Sequence, residues 1–289
     1  MDTKKYFVNP GEKLDLLDIP TVPSKGIDKS KVKDELLPEN MKMMKELQEK
    51  LYAENKRGLV IVLQAMDAAG KDSMIKHALT SLNPQGTHVT SFKSPSEEEM
   101  DRDYLWRISK ALPRRGEIAI FNRSHYEDVL VTRVHDLIET SQLPEELKND
   151  EIWAARYEQI NNFEKYLYEN GFYFLKFFLH ISKEEQRERL LDRVNRPDKH
   201  WKFSYSDVEE RKYFDKYMKV YGDVLKNTSK RESPWYIIPS DKKWYSRYLV
   251  SQIIVEKLQS LDPKYPEISD EQLKYIEEGR KLLLNEDKS

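Results

Sequence analysis

The sequence predicts an α/β protein built on a mainly parallel five-stranded sheet flanked by helices. Two observations carry that expectation. Five apolar runs of strand length recur along the chain, separated by segments of helix length. The first run, Leu59-Val60-Ile61-Val62-Leu63, breaks into Ala68-Ala69-Gly70-Lys71 and then a polar helix start. That is the local pattern of a buried strand, a tight turn and a helix.

Residues 1–30 carry Pro10, Pro20, Pro23, Gly11 and Gly26 and read as an extended arm. From 31 to 55, Leu36, Met43, Met44, Leu47 and Leu51 recur at helical spacing, giving an amphipathic helix whose apolar face could meet a second copy of the chain. Strand 59–64 leads to helix 71–82, strand 87–92 to helix 97–111, and strand 117–122 to helix 125–138. Helix 151–169 precedes strand 172–179 and helix 183–194, and strand 235–238 precedes helix 242–259. One domain is therefore expected over 31–262, with 263–289 as a charged, loosely attached helical tail.

Composition narrows the function. A chain of 289 residues suits one large domain with appended arms. The absence of cysteine excludes disulfides, thiolate catalysis and Cys-based zinc sites, and agrees with a reducing cytoplasm. No apolar run is long enough to span a bilayer, and the first residues lack the apolar core of a secretory signal. A net charge of −2 argues against non-specific nucleic-acid binding, so an anion site must come from local clustering of basic residues. His77, His88, His135, His180 and His200 lack metal-ligand spacing.

Three stretches carry chemistry. In the first, backbone N–H groups of Ala68, Ala69, Gly70, Lys71, Asp72 and Ser73 form an anion cradle at a helix N-terminus, where the helix dipole adds positive potential. This is a P-loop (Walker A) arrangement with departures: Ala65 stands where Gly is expected, and Asp72 intervenes between Lys71 and Ser73. Lys71 is placed to reach a phosphate chain, and Asp67 or Ser73 to hold a magnesium ion. The second stretch, Asn122-Arg123-Ser124-His125-Tyr126-Glu127-Asp128, begins where strand 117–122 ends, the edge at which such sheets bind ligands. Arg123 is expected to stabilise negative charge, and Asn122 to ligate or hydrogen-bond. His125, Glu127 and Asp128 are candidates for nucleotide contact. Ser124 and Glu127 also have capping-box spacing.

In the third stretch, Arg193 and Arg196 end a helix, Pro197 stops it, and Lys199 follows in a loop bounded by Asp207 as an expected N-cap. A basic segment between two helices reads as a lid closing over phosphates, over about 183–211. Few acids lie beside Arg193, Arg196 and Lys199, so phosphate contact is the expectation there. Arg187 and Arg189 are expected to be solvated, paired with Glu184, Glu185 and Glu188. Aromatics at 205–221 and 235–248 are read as core.

These three motifs, in this order, resemble the polyphosphate kinase 2 family over roughly residues 30 to 260. The resemblance implies a P-loop kinase fold with a helical lid. It implies reversible, Mg²⁺-dependent phosphoryl transfer between inorganic polyphosphate and a nucleotide. On the matching positions, the family's P-loop carboxylate falls on Asp67, its phosphate lysine on Lys71, its strand-end arginine on Arg123, and its lid arginine and following acid on Arg193 and Asp207. Many members have Gly at position 65, so Ala65 keeps the turn only with a negative φ. Many also have Asp where Asn122 stands, and the Asn-Arg-Ser-His-Tyr-Glu-Asp version resembles the subgroup acting on both nucleoside mono- and diphosphates. The partners expected are polyphosphate, ADP and AMP (with GDP and GMP as further candidates), in a dimer or tetramer, with no nucleic acid and no membrane. The alternatives are a thymidylate-kinase-like enzyme using ATP as donor and a non-catalytic nucleotide- or polyphosphate-binding module.

Overall fold

In a computed structural model, which describes residues 2–286, the five apolar runs form five strands: β1 (Gly58–Gln64), β2 (Thr87–Ser91), β3 (Ile118–Asn122), β4 (Phe172–His180) and β5 (Trp235–Pro239). Their order is β2-β3-β1-β4-β5 and every pairing is parallel. All seven residues of β1 are buried, as an unbroken apolar strand between two neighbours requires. The β1–β3 register sets Leu63 opposite Asn122, so the polar stretch after β3 emerges beside the loop after β1.

The helices are α1 (Leu37–Glu54), α2 (Lys71–Ala78), α3 (Glu97–Met100), α4 (Trp106–Lys110), α5 (Glu127–Val134) and α6 (Ile152–Glu169). After β4 come α7 (Lys183–Asn195), α8 (Tyr205–Glu209), α9 (Phe214–Thr228), α10 (Lys243–Leu261) and α11 (Asp270–Glu286). Three expectations are corrected. The single helix over 97–111 is two short ones, because Asp103 turns its side chain onto the Leu105 N–H (3.0 Å) and its carbonyl onto Trp106 N–H, an alternative to helical bonding. Asp207 is not an N-cap: α8 starts at Tyr205, with Ser204 in the cap position and Asp207 in the first turn. Nor do Ser124 and Glu127 form a capping box, since α5 starts at Glu127 and the Ser124 hydroxyl is engaged by Gln64 and the Tyr126 N–H.

The apolar face of α1 is used inside the chain rather than offered to another copy. Met44 and Leu51 are buried against α10, and Asn40 donates to Ser251 at 3.0 Å. The N-terminal arm lies along β5, where Phe7 bridges Tyr236 in antiparallel fashion and Val8 N–H donates to the Trp235 carbonyl. At its far end Thr21 donates to Asp241, whose other oxygen accepts from Ser182 N–H at the base of α7. α11 buries none of its residues. Among the described residues no helix is long and apolar enough to cross a membrane.

Gly116, in the turn before β3, has φ +82°, and a Cβ there would lie 3.0 Å from the Tyr52 carbonyl oxygen. Gly116→Ala is therefore expected to destabilise the protein by about 1–3 kcal/mol, read as a lower urea midpoint at unchanged slope. An unchanged midpoint would show that the turn relaxes freely.

Candidate active site

The loop between β1 and α2 is shaped by its backbone. Positive φ falls on Ala68 (+62°) and Gly70 (+116°), while Ala65 keeps a negative φ, as the turn requires of a residue with a Cβ. The first bond of α2 runs from Met74 N–H to the Gly70 carbonyl, so the N–H groups of Lys71, Asp72 and Ser73 have no helical acceptor. Arg189 fixes the opposite face of the loop. Its Nη1 donates to the carbonyls of Ala68 (3.1 Å) and Ala69 (2.6 Å), and its Nη2 to those of Ser240 (2.6 Å) and Asp241 (3.2 Å). Because a trans peptide points N–H opposite to C=O, drawing the Ala69 carbonyl to Arg189 turns the Gly70 N–H the other way. Gln186 adds a bond to the Asp67 carbonyl at 3.0 Å.

Arg189 thus overturns the expectation that it is solvated. It does pair with Glu185 (2.9 Å), but its guanidinium is buried among four carbonyls. The i,i+4 acid gave a surface-like signal, and only the fold shows where the other nitrogens go. Arg187 pairs with Glu188 at 3.5 Å and stays exposed, as expected.

Lys71, Asp67 and Arg123 meet at this loop. Lys71 is buried and donates to the Ala65 (2.9 Å) and Met66 (3.4 Å) carbonyls. Burial, then the Arg123 charge, lower its ammonium to about 8 against the opposing pull of Asp67, Glu127 and Asp72. Arg123 adopts φ +65°, a left-handed conformation unfavourable for a residue with a Cβ, and its guanidinium spans Asp67 (2.6 Å) and Glu127 (2.9 Å). Asn122 donates to Asp72 at 2.8 Å, while Ser73 accepts from Arg247 at 2.8 Å. A narrow cleft of about 20 Å³ opens beside this group, lined by Met66, Asp67, Arg123, Glu127, Glu210 and Tyr217 among others.

The lid stands over the loop. Arg193 donates to Asp207 at 2.8 Å, and the Asp207 carboxyl is pushed up by burial and then by the Asp67 charge, against the opposing pull of Arg193. The expectation that Arg193, Arg196 and Lys199 lack acidic neighbours is corrected. Arg193 holds Asp207, Arg196 pairs with Asp198 at 2.7 Å, and Lys199 pairs with Asp192. Pairs this exposed cost little to open, so a polyanion can displace the acids at Arg196 and Lys199.

Two of the proposed nucleotide contacts separate. Glu127 faces the cleft, but His125 is fully buried and turned to Glu164 at 3.3 Å; no ligand can reach it, and it is withdrawn as a contact. Asp128 sits half-way, its carboxyl raised to about 6 by burial, only partly offset by Arg156 and Arg107. Sequence reasoning missed a second cationic face. Lys243 and Arg247, one turn apart on α10, face the start of α2, and burial followed by the charges of Arg189, Lys199 and Arg247 depresses the Lys243 ammonium. His77 is likewise lowered by burial and by Arg247, Lys76 and Lys243. Lys243 and Arg247 thus form a cationic face beside the start of α2. The KKWYSR stretch shows the i,i+4 pair, but nothing in it indicates that α10 packs against α2.

Comparison with known proteins then decides the family. The family model described as polyphosphate kinase 2 matches residues 26–266. The chain belongs to the polyphosphate kinase 2 family. It is 45% identical over 284 residues to the ADP-polyphosphate phosphotransferase of Rhodopseudomonas palustris, covering 98% of each chain. It is 43% identical to the AMP/ADP-polyphosphate phosphotransferase of Meiothermus ruber, covering 91% of this chain and 96% of that one. The crystal structure of polyphosphate kinase 2 from Arthrobacter aurescens TC1 superposes with a TM-score of 0.83 at 36% identity, over 94% of this chain and 98% of that one. The sheet and helices are those of the P-loop kinases of this family, and the chain is a phosphotransferase, a polyphosphate-dependent nucleotide kinase.

The depressed Lys71 has a pH consequence. An anion needs the charged ammonium, so affinity for pyrophosphate should fall as pH rises through about 8, and binding should in turn raise the Lys71 pKa. Calorimetric titrations from pH 7 to 9.5 test this, and a flat profile would remove Lys71 as the charged contact.

Proposed function

We propose that this kinase passes a terminal phosphate of inorganic polyphosphate to ADP and to AMP, with GDP and GMP as further acceptors, and runs reversibly. The observation that carries the reading is the convergence of Lys71 and Arg123 on the Asp67 loop, two cations from different elements beside N–H groups that have no helical acceptor. Phosphoryl transfer asks chiefly for alignment and charge neutralisation, which this arrangement supplies. The inclusion of AMP is supported by the Asn122–Asp128 motif and by the name of the Meiothermus ruber relative. The two carboxylic partners of Arg123 fit the exchange that a phosphate would make: an incoming phosphate takes the place of Asp67 or Glu127 on the guanidinium.

In this reading the acceptor lies on the Asp67–Arg123–Glu127 side. The donor chain runs over Lys199, Lys243 and Arg247, with Arg193 and Arg196 closing from the lid. Magnesium fits the donor set. Among the described residues no three His, Asp or Glu side chains form a metal cage, whereas Mg²⁺ is usually held by one or two carboxylates plus phosphate oxygens and water. Asp67 would hold it, with Asp72 beside it, and the ion would supply neutralisation of phosphate charge. We place the reaction in the cytoplasm, consistent with a chain without cysteine, and read the assembly as a dimer or tetramer.

The test is ADP or AMP with long-chain polyphosphate and Mg²⁺, with ATP and ADP formation followed by chromatography. Product is expected with polyphosphate alone as donor and none after chelation. Product only with a nucleoside triphosphate as donor would replace this reading. Asp67→Asn and Lys71→Ala should each lower kcat by about 10²–10³ while the fold stays intact. Wild-type turnover in a folded variant would remove that residue's role.

The donor path has its own check. Raising ionic strength should weaken polyphosphate binding more steeply than ADP binding, because more charge is neutralised. Lys243→Ala with Arg247→Ala should raise KM for polyphosphate and leave KM for ADP within about twofold. Equal changes in both would place the chain elsewhere.

A further inference from the structure

Beneath the end of β3 lies a charged cluster that touches no ligand-facing surface. Glu164 of α6 and Lys176 of β4 are both fully buried, with Nζ to Oε2 at 2.5 Å. Lys176 also donates to the Tyr126 hydroxyl (2.9 Å) and the Thr228 carbonyl (2.8 Å). The second oxygen of Glu164 accepts from the Tyr126 hydroxyl (2.8 Å) and faces His125 Nε2 at 3.3 Å, which fixes the ring proton on Nε2. One carboxylate therefore grips two consecutive residues, 125 and 126, both fully buried.

Those two residues follow Arg123 by two and three positions. The chain leaves β3 at Asn122, makes the left-handed kink at Arg123, is anchored at Ser124 by Gln64 (3.1 Å), and then plunges into the core where Glu164 holds it. The kink lets one segment send Arg123 outward to Asp67 and Tyr126 inward. Such a conformation persists only where the surroundings over-determine it. A buried ion pair is an inefficient route to stability, since apolar residues of similar volume commonly serve as well.

We propose that Glu164, held by Lys176, is a positioning residue: through His125 and Tyr126 it sets the backbone of Arg123 and so the direction of the guanidinium toward the P-loop. The inference rests on the reading of Arg123 as the group that takes up charge on the transferred phosphoryl. Burial acts to raise the Glu164 carboxyl, but the Lys176 charge and the hydrogen bonds from His125 and Lys176 outweigh it and keep it ionised. An acceptor without a proton of its own is what a grip on two donors needs.

The test combines Tyr126→Phe and Glu164→Gln with Arg123→Lys, measured as kcat and KM for ADP at saturating polyphosphate, at a temperature where circular dichroism shows every variant folded. Each single variant at 126 or 164 should lower kcat by about tenfold or more, as sub-ångström to ångström misplacement of a charge stabiliser does, with KM for ADP within about twofold. In the Arg123→Lys background the same changes should cost nothing further, because the group they position is gone. A wild-type rate for Arg123→Lys alone would remove the Arg123 reading, and this inference with it. An impaired Arg123→Lys, with the single variants at 126 and 164 turning over at the wild-type rate, or with their penalties simply multiplying in the Arg123→Lys background, would overturn the positioning role while leaving Arg123 in place. Failure of both core variants to fold would make the cluster a stability element and overturn it too.

Discussion

The guanidinium of Arg189 is the contact on which the site depends. It joins three segments distant in sequence: the loop after β1, the turn after β5 at Ser240 and Asp241, and α7 itself. The loop has two residues at positive φ, and it is short, so its carbonyls must point somewhere. Buried carbonyls without a donor would be costly. Arg189 satisfies four at once, and the amides on the other side of the loop are left for a ligand. The lid begins on the same helix, so the element that carries Arg193 over the loop is also the one that holds the loop in shape.

The site is a set of charges compensated internally by opposite charges that a substrate can replace. Arg123 lies between Asp67 and Glu127 and Arg193 against Asp207, while the neutral Asn122 amide donates to Asp72. Lys71 instead lies against two carbonyls, and burial lowers its ammonium. Opposite-charge partners keep the unliganded site from repelling itself, at the expense of a competition that phosphate must win. The face made by Lys243 and Arg247 has fewer such partners, which suits a long polyanion better than a compact nucleotide phosphate.

The strands were legible because each is a contiguous apolar run whose length and spacing survive any detail of packing, and β1, buried on both faces, is the clearest. The P-loop, Arg123 and Lys71 were legible for a related reason: strand ends fix their position. What the sequence hid depends on tertiary contact. Arg189 looked solvated because its acidic neighbour is local and its carbonyl partners are not. Lys243 and Arg247 lie far from Ser73 in the chain, at a separation of 174 for the Arg247 contact. His125 faces the core because the chain turns inward after the left-handed kink at Arg123, where Glu164 holds the ring, and no local pattern announces that turn. Asp207 was assigned to a cap because the local pattern offered no sign of the Arg193 contact.

The arm along β5 gives the molecule a particular order of assembly. Its contacts close the chain over the greatest distances in the fold, with Thr3 bonded to Glu256 across 253 residues and the Ser229 hydroxyl to the Val8 carbonyl across 221. The arm thus waits for β5 and α10, which are made after it. Until then β5 has no neighbour on its outer side and the arm has nothing to lie against. Contacts of such long range form late in folding, so the nascent chain passes through a stage with an open sheet edge. In that stage β5 offers an edge for strand pairing in addition to β2, the edge strand at the other end of the sheet.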